Sequence, residues 1–230
     1  MRVQPFNNIL ITASSLPAST QKNTTTALLF PTFKRIPSIP HTLESWRDFA
    51  TAYLKARTLH PMHAGLSAEQ KAKLLRDEAA ASKLPPAQDI IHPVILICGH
   101  GGRDSRCGIL GPIMHSSFTR ELARRGIHAE VAQISHIGGH KYAGNVIIYL
   151  PPSMRDNGLR GSGIWYGRMG PENVEGVVQE TVVRGRVVRE LLRGGVLAGG
   201  GDLGRVVEAQ EAEERGEGEG ELKLRPRSRR

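Results

Sequence analysis

Pro93-Val-Ile-Leu-Ile97 is an unbroken apolar run that ends on Cys98. A strand with one wet face alternates polar and apolar residues. A run with no polar residue predicts a central strand covered on both sides. Such a strand calls for an α/β chain with a layer on each face of its sheet. The segment that follows, Cys98-Gly-His-Gly-Gly-Arg-Asp-Ser-Arg-Cys107, is rich in glycine and holds both cysteines of the chain. Open α/β sheets gather their ligands at the carboxyl ends of strands, so this loop is the first candidate for chemistry.

The segments around that strand predict the rest of a sheet. Pro112 is expected to open a helix in which Met114, Phe118 and Leu122 recur at four-residue spacing, with Gly126 ending it. Strands are expected at about 129–135, 145–150 and 164–168. A helix should start at Pro171, carry Val174, Val177 and Val178, and break at Gly185, with a short closing helix over 187–192. The order β-α-β-β-β-α is the layout of a thioredoxin-like sheet, assigned here to residues 91–198.

Residues 8–12 and 26–30 read as two short buried strands, so residues 1–40 predict part of a preceding lobe. The same stretch has Arg2, Lys22, Lys34 and Arg35 and no acidic residue, a composition shared with mitochondrial targeting segments. The strands favour folded structure. Residues 41–90 predict a helical connector. Thr42 caps one helix, Ser67 and Gln70 form a capping box for a second helix reaching 79–81, and Leu84-Pro-Pro86 stops it. From 199 to 230 the chain turns to Gly, Glu and Arg, which predicts a disordered tail.

Composition removes several functions. The net charge of +9 would suit nucleic acid, yet aromatic residues make up only 5% and offer few stacking platforms. A partner of that kind is not expected. No run of eighteen apolar residues exists to span a membrane. A pair of cysteines is too few for a secreted disulfide scaffold.

A second pair of candidate ligands stands in Ser135-His-Ile-Gly-Gly-His140. Two histidines four apart share a face on a helix, but Gly138-Gly139 between them argue for a loop that folds both rings inward. Cys98, Cys107, His136 and His140 are thus two thiols and two imidazoles offered by loops after two strands. The start of the following helix, with Arg103 and Arg106, should favour thiolate at Cys107. Four chemistries fit these residue types. They are a structural zinc site, a two-iron cluster with mixed cysteine and histidine ligands, a dithiol–disulfide pair, and plain buried side chains. The eight residues between the cysteines are more than zinc sites commonly use, and Cys-x-x-Cys is absent. His100, Asp104 and Lys141 flank the candidate ligands as supporting groups. Tyr149, Trp165 and Tyr166 are expected to pack the core.

The cysteine loop, the His136–His140 motif and Ala143-Gly-Asn-Val-Ile-Ile-Tyr149 resemble the sucrase/ferredoxin-like family. Trp165-Tyr-Gly-Arg168, Pro171-Glu-Asn-Val174 and Arg189-Glu-Leu-Leu-Arg-Gly-Gly195 resemble it as well. The likeness is close over about 90–196 and looser before that. It implies a thioredoxin-like ferredoxin domain carrying a 2Fe-2S cluster, with Cys98 and Cys107 on one iron and His136 and His140 on the other. It implies an electron carrier rather than an enzyme, a redox partner protein, and a place in mitochondrial redox homeostasis, with a cytoplasmic location as the alternative. It also implies a first thioredoxin-like lobe, of which the segments near Ile9 and Leu28 would be the later part, its opening strand and helix missing.

Overall fold

The structure, a computed structural model, describes residues 9–137 and 139–216. Strands β1 (Thr24–Leu29) and β2 (Lys34–Pro40) pair antiparallel. Helix α1 (Leu43–Phe49) starts where the Thr42 hydroxyl accepts the Ser45 N–H, and it widens into a π turn over Ala50–Leu54. Helix α2 (Ala68–Leu74) has the expected capping box: Ser67 accepts from the Gln70 N–H, and Gln70 accepts from the Ser67 N–H. It stops at Leu74 rather than near Ala81, because Asp77 caps a separate 3-10 turn at Glu78–Lys83. Strand β3 (Gln88–Asp89) then returns to β2. Ile36, Ile39, Phe49 and Leu84 form the small core of this first lobe.

The main sheet has five strands in the order β5-β4-β6-β7-β8. In chain order the elements are β4 (Val94–Cys98), α3 (Ser105–Arg124), β5 (Glu130–Ile134), β6 (Val146–Leu150), β7 (Ser162–Tyr166), α4 (Val174–Val177) and β8 (Leu192–Val196). β4 and β5 run parallel, and every other pairing is antiparallel. This is the expected thioredoxin-like layout with an added edge strand. The apolar run does lie centrally, and all of β4 is buried. Ile95 and Ile97 meet Met114, Phe118 and Leu122 of α3 and Val174, Val177 and Val178. Val94, Leu96 and Cys98 point the other way, toward Ile147, Ile90 and Phe33. The first lobe therefore covers the second face of the sheet. Phe30 stacks on Tyr149 at 3.7 Å between ring centroids, and Arg35 pairs with Glu130.

Several expectations are corrected. Residues 9–12 form no strand, and Ile9, Leu10 and Ile11 are exposed. Residue 8 lies outside the described residues. The chain instead pairs slightly later, where the Ser15 N–H donates to Gln133 O at 2.8 Å and the Ser135 N–H to Ala13 O at 2.9 Å, along the edge of β5. Helix α3 begins at Ser105, with Asp104 as its cap, and contains Pro112 rather than starting there. The span 187–192 holds only a 3-10 turn at Arg189–Leu191 before β8, because Gly195 lets the chain close on β7. A Cβ on Gly195 would stand 2.7 Å from Gly163 O.

The expected tail also carries structure. Helix α5 (Leu203–Glu214) is capped by Asp202 and packs Leu203, Val206 and Val207 on the main core. Gln210 both accepts from and donates to the Val187 backbone at 2.9 Å, and Arg186 and Arg189 pair with its glutamates. Composition hides this helix because a few apolar residues on one stripe suffice when the charged residues pair across. Residues 217–230 lie outside the described residues.

Candidate metal centre

Cys98 ends β4, and its N–H donates to Asn145 O at 2.9 Å. The loop after it folds back on the first turns of α3, with glycine against glycine. A Cβ on Gly108 would stand 2.6 Å from the Gly101 Cα, and one on Gly111 would stand 2.8 Å from the Gly99 Cα. No side chain fits between these backbones, so the two arms close tightly. Cys107 therefore lies inside the first turn of α3 rather than before it, and it meets Cys98.

The two sulfurs are close enough to hydrogen bond, and the Gly144 N–H donates to the Cys107 sulfur. Both thiols are free, with Cys98 0% and Cys107 1% exposed. Burial pushes the Cys107 thiol up to about 11, and the adjoining Cys98 and the Asp104 carboxylate act in the same direction. The expected help from arginine is outweighed by burial. Arg103 is exposed, and Arg106 turns its guanidinium onto Asp104 at 2.9 and 3.1 Å. Without a bound cation the Cys107 thiol stays protonated near neutral pH.

His136 follows β5 and is half-buried, its ring 6.4 Å from that of the exposed His100. Gly138 and the His140 side chain lie outside the described residues; the His140 backbone opens a short turn, His140–Tyr142. The structure thus brings Cys98 and Cys107 together and sets His136 on a neighbouring loop. Among the described residues no three His, Cys, Asp or Glu side chains converge on one metal position.

The segment 139–145 is the hub of this end of the sheet. Its Asn145 carbonyl holds the Cys98 N–H, and its Gly144 N–H reaches the Cys107 sulfur. Gly144 has φ +87, and a Cβ there would stand 2.3 Å from Met169 O. The Met169 N–H donates to Gly144 O at 3.2 Å, and the Arg168 N–H to Tyr142 O at 3.4 Å. Arg193 of β8 donates to the Asn145 side chain at 2.6 Å and lies over the Tyr142 and Trp165 rings. Sequence reasoning named Lys141 here but missed Gly144, Asn145 and Arg193 as working parts. Their roles come from backbone approach and from a strand that returns late in the chain, and spacing announces neither.

A family model described as sucrase/ferredoxin-like matches residues 2–194. The chain belongs to the sucrase/ferredoxin-like family. That match takes in all four candidate ligands and Arg193, while α5 lies beyond it. Altered inheritance of mitochondria protein 32 of Debaryomyces hansenii is 35% identical over 199 residues, covering 84% of this chain and 68% of that protein. The protein of the same name from Meyerozyma guilliermondii is 43% identical over 109 residues, 46% of this chain and 36% of its own length. The chain therefore spans about two thirds of one relative and about a third of the other. Among solved structures, a cysteine-to-serine variant of the thioredoxin-like [2Fe-2S] ferredoxin from Aquifex aeolicus is similar at 16% identity and TM-score 0.36, covering 44% of this chain and 98% of that one.

Tyr166, Tyr149 and Asp104, also singled out from sequence, hold structure together. Tyr166 is wholly buried and bonds Thr181 Oγ1 at 2.6 Å, and Tyr149 stacks on Phe30. Asp104 caps α3 through the Arg106 N–H. Among the described residues no helix is long and apolar enough to cross a membrane.

Proposed function

We propose that this chain is an electron carrier that holds a 2Fe-2S cluster through Cys98, Cys107, His136 and His140. The observation that carries the reading is the pair of buried thiols in mutual contact at the end of the central strand. The residues fit such a group. Two adjoining buried thiols are a donor set that one iron of such a cluster would take. They belong on one iron, and the imidazoles on the other. When bound, the cluster supplies a one-electron couple. The chain's part is to bury the sulfurs under the first lobe, to direct the Gly144 N–H at Cys107, and to keep water from that side. Hydrogen bonds to the sulfurs and burial are the levers by which proteins tune such couples.

A role in thiol–disulfide exchange is the weaker reading. The attacking species is an accessible thiolate, and here both thiols are buried and Cys107 is pushed up to about 11. The names of the two yeast relatives support a mitochondrial place for the carrier. Anaerobic purification decides the matter. Red-brown protein with iron and sulfide near about two each supports the cluster. Colourless protein with a single zinc overturns it, as does metal-free protein whose two thiols titrate and oxidise to a disulfide.

A further inference from the structure

Tyr142 stands two residues from Gly144, on the outer side of the hub. Three cations surround its ring. Arg193 Cζ is 4.8 Å from the ring centroid, Lys141 Nζ 5.0 Å and Arg168 Cζ 5.9 Å. Among the described residues none of the three meets a carboxylate. Some arginines elsewhere in the domain do meet carboxylates: Arg124 and Arg125 share Glu121, and Arg186 and Arg189 take the glutamates of α5. Gathering three like charges on one ring costs energy, and the cation–π contacts, at roughly 0.5–1 kcal/mol each when exposed, only partly offset it. Lys141 and Arg168 are exposed. Arg168 also adopts φ 59, a backbone conformation uncommon outside glycine, held by its N–H bond to Tyr142 O.

The platform is tied to the candidate centre by short covalent and hydrogen-bonded links. Arg193 grips Asn145, whose carbonyl holds the Cys98 N–H. Stacked guanidinium groups keep their N–H edges outward, which suits bidentate contact with carboxylates. We propose that Tyr142, Lys141, Arg168 and Arg193 form the docking face for an acidic protein partner, whose carboxylates seat on the three cations beside the cysteine pair. A cationic face at the mouth of such a site steers an acidic partner to the place where an electron must cross. That purpose rests on the electron-carrier reading; the docking itself does not. Nucleic acid is the less suitable occupant, because the face offers only Tyr142 and the half-buried Trp165 where a strand needs several stacking rings.

The test uses the full chain and a fluorescent decapeptide of glutamate. Binding is followed by anisotropy, with carbodiimide coupling of peptide carboxylates to lysine as a second readout. Lys141 is the only lysine between Lys83 and Lys223, so the coupling site reports directly on this face. The expected result is coupling mainly at Lys141 and an affinity that falls as salt rises. Lys141→Gln with Arg168→Gln should weaken binding by about tenfold, which corresponds to about 1.4 kcal/mol. The charge-matched pair Arg155→Gln with Arg160→Gln, on the loop at the opposite end of β6, should change it by less than about twofold. Equal losses from both pairs, coupling spread over the other lysines, or tighter binding of a single-stranded oligonucleotide of equal charge would each overturn the proposal. Iron and sulfide assays on the same preparation separate the two readings. Selective coupling at Lys141 in iron-free protein keeps the docking face and removes the cluster, whereas iron-loaded protein without that selectivity does the reverse.

Discussion

The two faces of β4 are built from the same kind of residue and do different work. Ile95 and Ile97 meet the helices, where Met114, Phe118 and Val178 are fully buried and no thiol intrudes. Val94, Leu96 and Cys98 meet a lobe contributed by the chain before β4, through Phe33, Ile90 and the Phe30–Tyr149 stack. The helical face is a core in the ordinary sense, since its elements are close in sequence and bury one another. The lobe face is a lid over the thiol pair. Its cover arrives from far away in the chain, and beneath it lie both cysteines. The helical face should therefore set global stability, while the lobe face should set access to the site.

The largest effect tests the first half of that contrast. Phe118→Ala removes a fully buried ring from the helical core and should lower stability by about 3–5 kcal/mol in urea unfolding. In metal-free Phe118→Ala, thiol reactivity should rise only along with global unfolding. If the thiols react well before the unfolding transition, the two faces are not separable.

Gly144→Ala comes next and aims at the site. At φ +87 an added Cβ carries about 1–2 kcal/mol of left-handed strain, and it meets Met169 O at 2.3 Å as well. The hub should shift, and the N–H on the Cys107 sulfur with it. Iron content after anaerobic purification should fall several-fold while far-ultraviolet dichroism stays close to the parent. Full iron loading in this variant would mean that segment 139–145 does not shape the site.

Phe30→Ala is smaller and tests the lid. The ring is only partly buried, so loss of its stack on Tyr149 should cost about 1–2 kcal/mol. Spent on local opening, that is about a 5–30-fold rise in the reactivity of the Cys98 thiol toward a disulfide reagent in metal-free protein. A rise in step with global unfolding alone would make the lobe part of one cooperative core.

The same contrast governs what could be read from sequence. The apolar run of β4 and the four-residue spacing of Met114, Phe118 and Leu122 are local patterns, and they gave the central strand and the helix against it. Pro112 misled, because proline is a good helix opener, whereas Asp104 caps α3 two turns earlier through the Arg106 N–H. The closing strand β8 was hidden by glycines that read as a break but permit close approach to β7. At the site, Cys98, Cys107, His136 and His140 stand out by residue type. The roles of Asn145 and Arg193 do not, since each depends on a contact between distant parts of the chain. The expected thiolate at Cys107 does not form either, because burial outweighs the nearby Arg106, whose guanidinium bonds Asp104.

The smallest effect belongs to the far end of the helical face and serves as its control. Glu121 is nearly buried between Arg124 and Arg125, whose hydrogen bonds hold its carboxyl down at about 2 against an ordinary 4.5. A carboxylate lowered in this way stabilises the fold above the unfolded value and loses that contribution as pH falls toward the folded one. Glu121→Gln should therefore lower Tm modestly at pH 7, with the difference from the parent shrinking between about pH 4.5 and 2. Iron content should not change, because the pair lies at the end of α3 away from Cys107. A loss of iron in Glu121→Gln would show that the helical face also governs the site, and the division between core and lid would then fail.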